Sequence, residues 1–341
     1  MKVCAYYGPD SFEVEDRPVP EIGDDEILVK TDTVGICGTD IHKAVHQTVK
    51  EGTILGHEIS GVVDAVGANV SKFKVGDKVA IAHHAPCMSC KACLKGHHSL
   101  CEQYLKTNVF PGGFSEYIRL PSENVKHTVK LMPAAMTFSE AAFMEPLACC
   151  LRGFHRLDVQ PGDNYLVIGL GPIGMLFCEI AKAYNAGFIA GVDIDQWRID
   201  FATSELGINA AINSIDQNLK QMLEAKELPS FDHVIITVGN GKVYQDALNY
   251  IWRGTCVLVF AECPENQEIT MDPNLVYRNE LSIVGSYSSS PRFLTMALDL
   301  IGNGAINVKH LITHEFPADD IQQAMALATK AQQSLKVMIK F

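Results

Sequence analysis

The stretch Tyr165-Leu166-Val167-Ile168-Gly169-Leu170-Gly171-Pro172-Ile173-Gly174-Met175 decides how the second half of the chain is read. Four apolar residues read as a buried strand, and a G-x-G-x-x-G follows directly. Residues 174–184 then read as a helix, so the glycines fall between strand and helix. In that setting each glycine has a task. Gly169 permits the tight turn, Gly171 lets the backbone approach a pyrophosphate, and Gly174 lets helix and strand pack closely. The free N–H groups and the dipole at the helix start favour phosphate oxygens. The pattern alone is weak; in this strand–helix context it reads as a dinucleotide-binding loop.

Working outward, residues 188–192 form a second strand that ends at Asp193, 19 positions after Gly174. A carboxylate there attracts a ribose 2′-hydroxyl and repels a 2′-phosphate, so NAD is expected over NADP, with Arg198 as the residue that offsets this preference. A helix is expected over 198–206 and further strands over 231–238 and 256–260. Strands alternating with helices imply a parallel sheet covered on both faces.

Residues 1–150 have another texture. Short β-branched runs such as Ile27-Leu28-Val29 and Gly61-Val62-Val63 are punctuated by Gly and Asp, as in a small antiparallel barrel. Thr137-Phe138-Ser139-Glu140 fits a capping box. The helix it opens meets Pro146, which is expected to disrupt the ladder and swing Glu145 out of line. From about residue 288 a helix pair and a terminal strand over 336–339 follow. The expected division is 1–150, 151–287, and a return segment 288–341 that rejoins the first domain.

Composition narrows the function classes. Of 341 residues, 47% are hydrophobic and 20% charged, which excludes a disordered tail. A net charge of −12 with scattered Lys and Arg disfavours nucleic acid. Gly8, Pro9 and Asp10 interrupt any secretory signal, and the most apolar stretch, 165–178, is too short and broken to span a bilayer. A soluble cytoplasmic protein is expected, without membrane or nucleic-acid partners. Eleven cysteines in so long a chain suit metal ligation or catalysis better than a disulfide scaffold.

Four of them, Cys87, Cys90, Cys93 and Cys101, fall within fifteen positions. Four soft thiolates can close a tetrahedron around zinc, leaving no place for water, so this site is expected to be structural. A second set is looser: Cys37 in Cys37-Gly38-Thr39-Asp40-Ile41-His42, His57 in Gly56-His57-Glu58, and Glu145 in Met144-Glu145-Pro146-Leu147. Cysteine, histidine and carboxylate suit zinc with a fourth position open. From spacing alone this is a modest claim, because a lone histidine is more often structural.

Taken together and in order, the Gly56-His57-Glu58-x-x-Gly61-x5-Gly67 segment, the Cys37 turn, the four-cysteine lobe and the Gly169–Gly174 loop resemble the zinc-dependent medium-chain alcohol dehydrogenase family over essentially the whole chain. Glu145-Pro146-Leu147-Ala148 resembles its polyol (sorbitol) and threonine dehydrogenase branch. The resemblance implies an α/β protein with a GroES-like β-barrel catalytic domain and a Rossmann doubly wound parallel-sheet domain. It implies two zinc ions, NAD and a homo-oligomer, tetramer or dimer. Cys37 and His57 would be ligands, with Glu58 and Glu145 as the carboxylates near the metal. Asp40 would orient His57, and Thr39 and His42 would relay the proton, with Glu58 beside them. Gly169, Gly171, Pro172, Ile173, Gly174, Asp193 and Arg198 would contact NAD. Val259, Phe260, Ala261, Ser286, Tyr287 and Ser288 would line the nicotinamide.

For the substrate, Glu145, His84 and Lys43 are the candidates. Ser288 and Lys43 depart from sorbitol dehydrogenases, which carry arginine and tyrosine there. A lysine near the site suits an acidic or phosphorylated sugar, with a solvated lysine as the plain alternative. His83 and His84 could equally be a surface pair; His97 and His98 are expected on the exposed lobe, and Cys149 and Cys150 packed in a helix. The expected activity is hydride transfer between a secondary alcohol of a polyol or sugar and NAD. The alternatives are an L-threonine 3-dehydrogenase or vicinal-diol (butanediol) dehydrogenase, and, in another class, a non-catalytic zinc- and dinucleotide-binding protein.

Overall fold

A computed structural model describes residues 1–215, 217–225 and 227–341. The alternating runs of the first part become β1 (Lys2–Gly8), β2 (Ser11–Asp16), β3 (Ile27–Gly35), β4 (Thr53–Ile54), β5 (Glu58–Val66), β6 (Lys78–Ala82), β7 (Tyr117–Leu120) and β8 (Val129–Leu131). Helices α1 (Gly38–Val45), α2 (Lys91–Leu94), α3 (Ser122–His127), α4 (Phe138–Ala142) and α5 (Met144–Phe154) intervene or follow. The middle of the chain holds β9 (Asn164–Ile168), α6 (Pro172–Ala183), β10 (Phe188–Asp193), α7 (Gln196–Ser204), β11 (Ala210–Asn213), α8 (Leu219–Glu224), β12 (His233–Ile236), α9 (Gly241–Ala247), β13 (Cys256–Val259), α10 (Pro273–Asn279) and β14 (Ser282–Gly285). The chain closes with α11 (Pro291–Gly302), β15 (Ile312–Pro317), α12 (Ile321–Lys330) and β16 (Lys336–Lys340).

Two units result: Met1–Ala148 with Ser289–Phe341, and Cys149–Ser288. In the first, β15-β16-β3-β5-β6-β8 form one sheet, with β7 on β3, and β2-β1-β4 form another. All pairs are antiparallel except β15 with β16. Val3, Ile27, Ile59, Ile81, Ile118 and Ile339 fill the interior between them. Each such side chain stabilises the fold by about 1.5–3 kcal/mol when fully buried. The C-terminal strand β16 lies against β3 with Met338 opposite Gly35, so the end of the chain is built into the first sheet.

The second unit is a six-stranded sheet in the order β11-β10-β9-β12-β13-β14, and every pair is parallel. Numbered from β9, this is 3-2-1-4-5-6, the doubly wound order that binds dinucleotides beyond the carboxyl ends of its strands. The sequence reading counted four strands here. It passed over the short outer strands β11 and β14, whose four residues each carry no strong alternation.

Pro146 corrects a second expectation. It stands in the first turn of α5 and not inside a continuing helix. A proline there removes no helical hydrogen bond, because the first N–H groups have no partner within the helix. The break comes earlier, at Phe143, where the capping-box helix α4 ends; its Thr137 hydroxyl accepts from the Glu140 amide and the Glu140 carboxylate accepts from the Thr137 amide.

Candidate active site

Three of the expected residues meet in the first unit. Ligand atoms of Cys37, His57 and Glu58 lie within 4.8 Å of one another. Cys37 follows β3 at the start of α1, and His57 and Glu58 enter β5, which pairs with β3 through Gly35 and Glu58. That pairing brings a thiol and an imidazole twenty positions apart to one point. Gly35 makes it possible: a Cβ there would stand 2.1 Å from Glu58 Oε2. Glu145 is not one of the three; it lies on the first turn of α5 and is buried.

The imidazole is held from behind. Asp40, 1% exposed on the inner face of α1, lies 3.3 Å from His57 Nδ1 and accepts the amides of Cys37 at 3.0 Å and Gly56 at 3.1 Å. Burial pushes the Asp40 carboxyl up, but the His57 ring and the two amides outweigh it and hold it below the usual range. Burial likewise opposes charge on His57, and Asp40 and Cys37 outweigh it, raising its pKa. An Nδ1–H donated to Asp40 leaves the Nε2 lone pair for an ion, the usual arrangement of carboxylate, histidine and zinc. Thiolate, imidazole and carboxylate are donors that zinc accepts.

Sequence reasoning missed Lys336. Its Nζ lies 2.8 and 2.7 Å from the two oxygens of Glu58 and donates to the Ile36 carbonyl at 3.2 Å. Lysine and glutamate are 2% and 0% exposed. Burial opposes the ammonium charge, yet Glu58 and Cys37 raise its pKa. The available signal was a lysine inside the apolar run Leu335–Ile339, since a buried charge demands a partner.

The lobe cysteines also converge: ligand atoms of Cys87, Cys90, Cys93 and Cys101 lie within 4.8 Å of one another. Cys87 Sγ is 3.5 Å from Cys101 Sγ and 3.9 Å from Cys93 Sγ, and it accepts the Cys90 amide at 3.3 Å. Four thiols without a disulfide, crossed by amide-to-sulfur hydrogen bonds, fit a closed tetrahedral zinc site.

In the second unit, Gly169 turns at φ +95° and its amide donates to the Val192 carbonyl. A Cβ on Gly174 would come within 1.8 Å of the Gly169 carbonyl oxygen, so the loop and α6 touch backbone to backbone. Gly171 caps α6 and Pro172 opens it, with Ile173 next. Asp193 ends β10, accepts the Leu170 amide at 2.7 Å and the Ile194 amide at 2.7 Å, and has Arg198 Nη1 at 3.6 Å. The acidic residue is therefore tied to the glycine loop it is expected to serve.

Comparison with known proteins agrees with this layout. The alcohol dehydrogenase GroES-like domain matches residues 23–131, and the zinc-binding dehydrogenase domain matches 172–303. Sorbitol dehydrogenase of Bacillus subtilis (strain 168) is 32% identical over 348 residues, covering 99% of this chain and 97% of the relative. The chain belongs to the zinc-dependent medium-chain alcohol dehydrogenase family. D-xylulose reductase A of Aspergillus niger is 32% identical over 340 residues, covering 95% of the dehydrogenase described here and 92% of the relative. The crystal structure of galactitol-1-phosphate dehydrogenase from Escherichia coli superposes with a TM-score of 0.88 at 27% identity, covering 100% of both chains.

This dehydrogenase is accordingly an oxidoreductase of small molecules that uses zinc and NAD. The other expected residues have definite places. Thr39, His42 and Lys43 lie on α1, with the His42 ring 4.4 Å from that of His46. His83 follows β6 and packs against the cluster: its ring is 4.8 Å from His57 and 3.9 Å from His84. Both histidines are half-buried. Val259 ends β13, with Phe260 and Ala261 just beyond it; Ser286, Tyr287 and Ser288 follow β14. Arg152 donates to the carbonyls of Tyr287 and Ser288, and the Tyr244 hydroxyl donates to that of Ala261 at 2.6 Å. Both segments thus sit at the carboxyl ends of parallel strands. Among the described residues, no helix is long and apolar enough to cross a membrane.

Proposed function

We propose that the dehydrogenase oxidises a secondary alcohol of a polyol or sugar with NAD, or reduces the matching ketone. The convergence of Cys37, His57 and Glu58 within 4.8 Å carries this reading, in a chain whose relatives include a sorbitol dehydrogenase and a D-xylulose reductase. The carbon gives up a hydride and the oxygen a proton, so the products are a ketone, NADH and one proton.

When bound, zinc supplies Lewis-acid chemistry that lowers the pKa of the alcohol, and the nicotinamide supplies the hydride acceptor. Cys37 and His57 would hold the ion, and Asp40 fixes the His57 ring and its tautomer. Glu58 would be the carboxylate that completes the set, and Glu145, with His84 and Lys43, would contact the substrate. The Thr39 hydroxyl receives the alcohol proton and passes it to His42 one turn along the exposed face of α1, a relay worth roughly 10²–10⁴ in rate. Gly169, Gly171, Pro172, Ile173 and Gly174 receive the pyrophosphate. Asp193 takes the ribose hydroxyls with Arg198 alongside, and residues 259–261 and 286–288 line the nicotinamide. Cys87, Cys90, Cys93 and Cys101 close a structural site.

The protein works as a homo-oligomer in the cytoplasm. The free thiols suit a reducing compartment. At the sheet margin, β14 leaves Ile283 41% exposed on an edge that no other strand pairs with among the described residues, and such an edge invites strand pairing with a second copy. Light scattering that returns the mass of a single chain would remove the oligomer.

The activity is tested by following NADH formation from C5 and C6 alditols, L-threonine and 2,3-butanediol, with NAD and NADP compared. Turnover of an alditol with NAD is expected. Turnover of threonine or butanediol alone would move the assignment to those branches. Silence across the panel with zinc-loaded protein would favour a non-catalytic dinucleotide-binding role.

A further inference from the structure

The end of β6 carries two adjacent histidines to the Cys37–His57–Glu58 cluster. Antiparallel pairing of β5 with β6 sets Glu58 opposite Ala82, so His83 leaves the strand level with the cluster. Its ring lies 4.8 Å from the His57 ring and 3.9 Å from the His84 ring, centroid to centroid. The turn that holds the pair is clamped from two sides. The buried Asn124 side chain donates to the carbonyls of Ala82 at 3.2 Å and His83 at 2.9 Å. On the far side the Thr107 hydroxyl accepts the Ala85 amide at 2.7 Å, and the Thr107 carbonyl lies 2.5 Å from His84 Nδ1. A turn fixed in this way presents its side chains already organised for a ligand.

The two rings are satisfied unequally. A carbonyl only accepts, so His84 Nδ1 carries the hydrogen and Nε2 presents a lone pair. His83 has no such tie. Among the described residues neither of its ring nitrogens has a hydrogen-bond partner, although Nδ1 is buried. An N–H buried without an acceptor is rarer than a lone pair buried without a donor, which puts the hydrogen of the neutral ring on Nε2, the nitrogen that is not sealed in. His83 thus offers a donor and His84 an acceptor, side by side and next to the residues that would hold the ion. Nothing within the protein uses either, and a half-buried imidazole with both nitrogens unpaired is a loss to the fold.

A hydroxyl fits this pair, because it has a hydrogen to give and lone pairs that accept one. An alkyl group in the same place leaves both nitrogens unpaired. An ammonium has hydrogens for His84 but no lone pair for His83.

We propose that His83 and His84 form a hydroxyl-reading pair: His83 Nε2–H donates to, and His84 Nε2 accepts from, the hydroxyl on the carbon next to the one oxidised. The substrate is then a vicinal polyol, and neither an isolated secondary alcohol nor a vicinal amino alcohol. This rests on the polyol reading above and narrows it by naming the residues that read the second hydroxyl. His83, packed on the His57 ring, is the new member of the site.

The test uses one carbon skeleton, 2,3-butanediol, 2-butanol and 3-amino-2-butanol, each competed against a C5 alditol on the zinc-loaded enzyme with NAD. The same three compounds are titrated calorimetrically into the enzyme–NADH complex, where no turnover is needed. The diol is expected to bind at least about tenfold more tightly than either of the others. His83→Phe keeps the ring packing and removes both nitrogens, and is expected to bring that ratio to within about threefold of unity. His83→Asn, whose shorter amide stops short of the Nε2 position, should do the same, whereas His83→Gln reaches it and should keep the ratio within about threefold of its starting value. Zinc content should stay at about two ions per chain in all three variants, because His83 is not one of the ligands. Equal binding of diol and mono-alcohol, or a preference that neither His83→Phe nor His83→Asn moves, would overturn the pair and leave the polyol reading standing. Failure to turn over any alditol would remove the polyol reading, and the calorimetric ratio would still decide the pair.

Discussion

Two clusters in the same structural unit can each hold a metal ion, and they are built in opposite ways. The lobe cluster draws four thiols from fifteen consecutive positions, and its surroundings are thin. Cys93, Cys101 and Tyr104 form a small buried apolar cluster there, while Leu94 and Leu100 on the same lobe are 77% and 65% exposed. The Cys37–His57–Glu58 cluster draws its donors from two strands' ends and is embedded: Asp40 behind the histidine, Lys336 behind the glutamate. The first is complete with its own ligands and leaves no place for a substrate. The second depends on distant residues to hold mixed donors in register, and that mixed, unsaturated set is what chemistry requires. One cluster holds a lobe in shape, and the other is shaped by the whole unit.

The sharpest way to break this comparison is to remove one donor from each. Cys37→Ser is expected to lower turnover to background while NADH binding, followed by nicotinamide fluorescence, persists. Metal content should fall from about two zinc ions per chain to about one. Cys90→Ser should also cost one ion, but its main effect should be a fall in Tm of roughly 10 °C as the lobe loosens. If either variant lost both ions, or if Cys37→Ser stayed active, the division of labour would be wrong.

The next effect lies in the embedded surroundings. Lys336→Met leaves the Glu58 carboxylate buried without its cation, which costs about 3–5 kcal/mol. The double variant Lys336→Met/Glu58→Gln removes the stranded charge and should recover a large part of that loss in a denaturant titration. No recovery would mean that Lys336 supports the fold through packing alone.

The two clusters also differ in how far the sequence exposes them. The lobe was legible because its donors are neighbours along the chain, and the glycine loop for the same reason: strand, turn and helix occupy one short stretch. The doubly wound sheet followed from the alternation around it, except for β11 and β14, where four-residue strands at the margin carry too little pattern. The contact between Glu58 and Lys336 spans 278 positions and joins β5 to β16, the two strands that flank β3 in one sheet, so no local spacing announces it. The mixed cluster stood between these extremes. Its residues could be named from resemblance, whereas the reason they meet is the register of β3 on β5, which exists only in three dimensions. Pro146 was misread because a proline's effect depends on where the helix starts, and the start was set by Phe143 ending the previous helix.

A smaller step tests support without touching a ligand. Asp40→Asn keeps the shape behind His57 and removes the charge that orients and polarises the ring. A loss of 10- to 100-fold in zinc affinity or in kcat is expected. Chelator competition separates the two. A change below about threefold would show that the Cys37 and Gly56 amides hold the turn by themselves, and the mixed cluster would then be less dependent on its surroundings than the comparison requires.

The smallest expected effect is the counterpart on the lobe. Ser89 donates its hydroxyl to Cys87 Sγ over 3.7 Å in an exposed position. The Cys87 thiol is lowered to about 6, first by the Ser89 amide, then by the Cys90 amide, and only after these by the Ser89 hydroxyl. Ser89→Ala retains both amides. Zinc content should therefore stay at its starting value and Tm should move by no more than about 1 °C, because an exposed, long hydrogen bond to sulfur contributes little against water. Set beside Asp40→Asn, this variant asks the same question of a self-sufficient cluster. Loss of the lobe ion in Ser89→Ala would mean that four thiolates do not suffice and that both clusters lean on their neighbours, which would erase the contrast from the side where it looks safest.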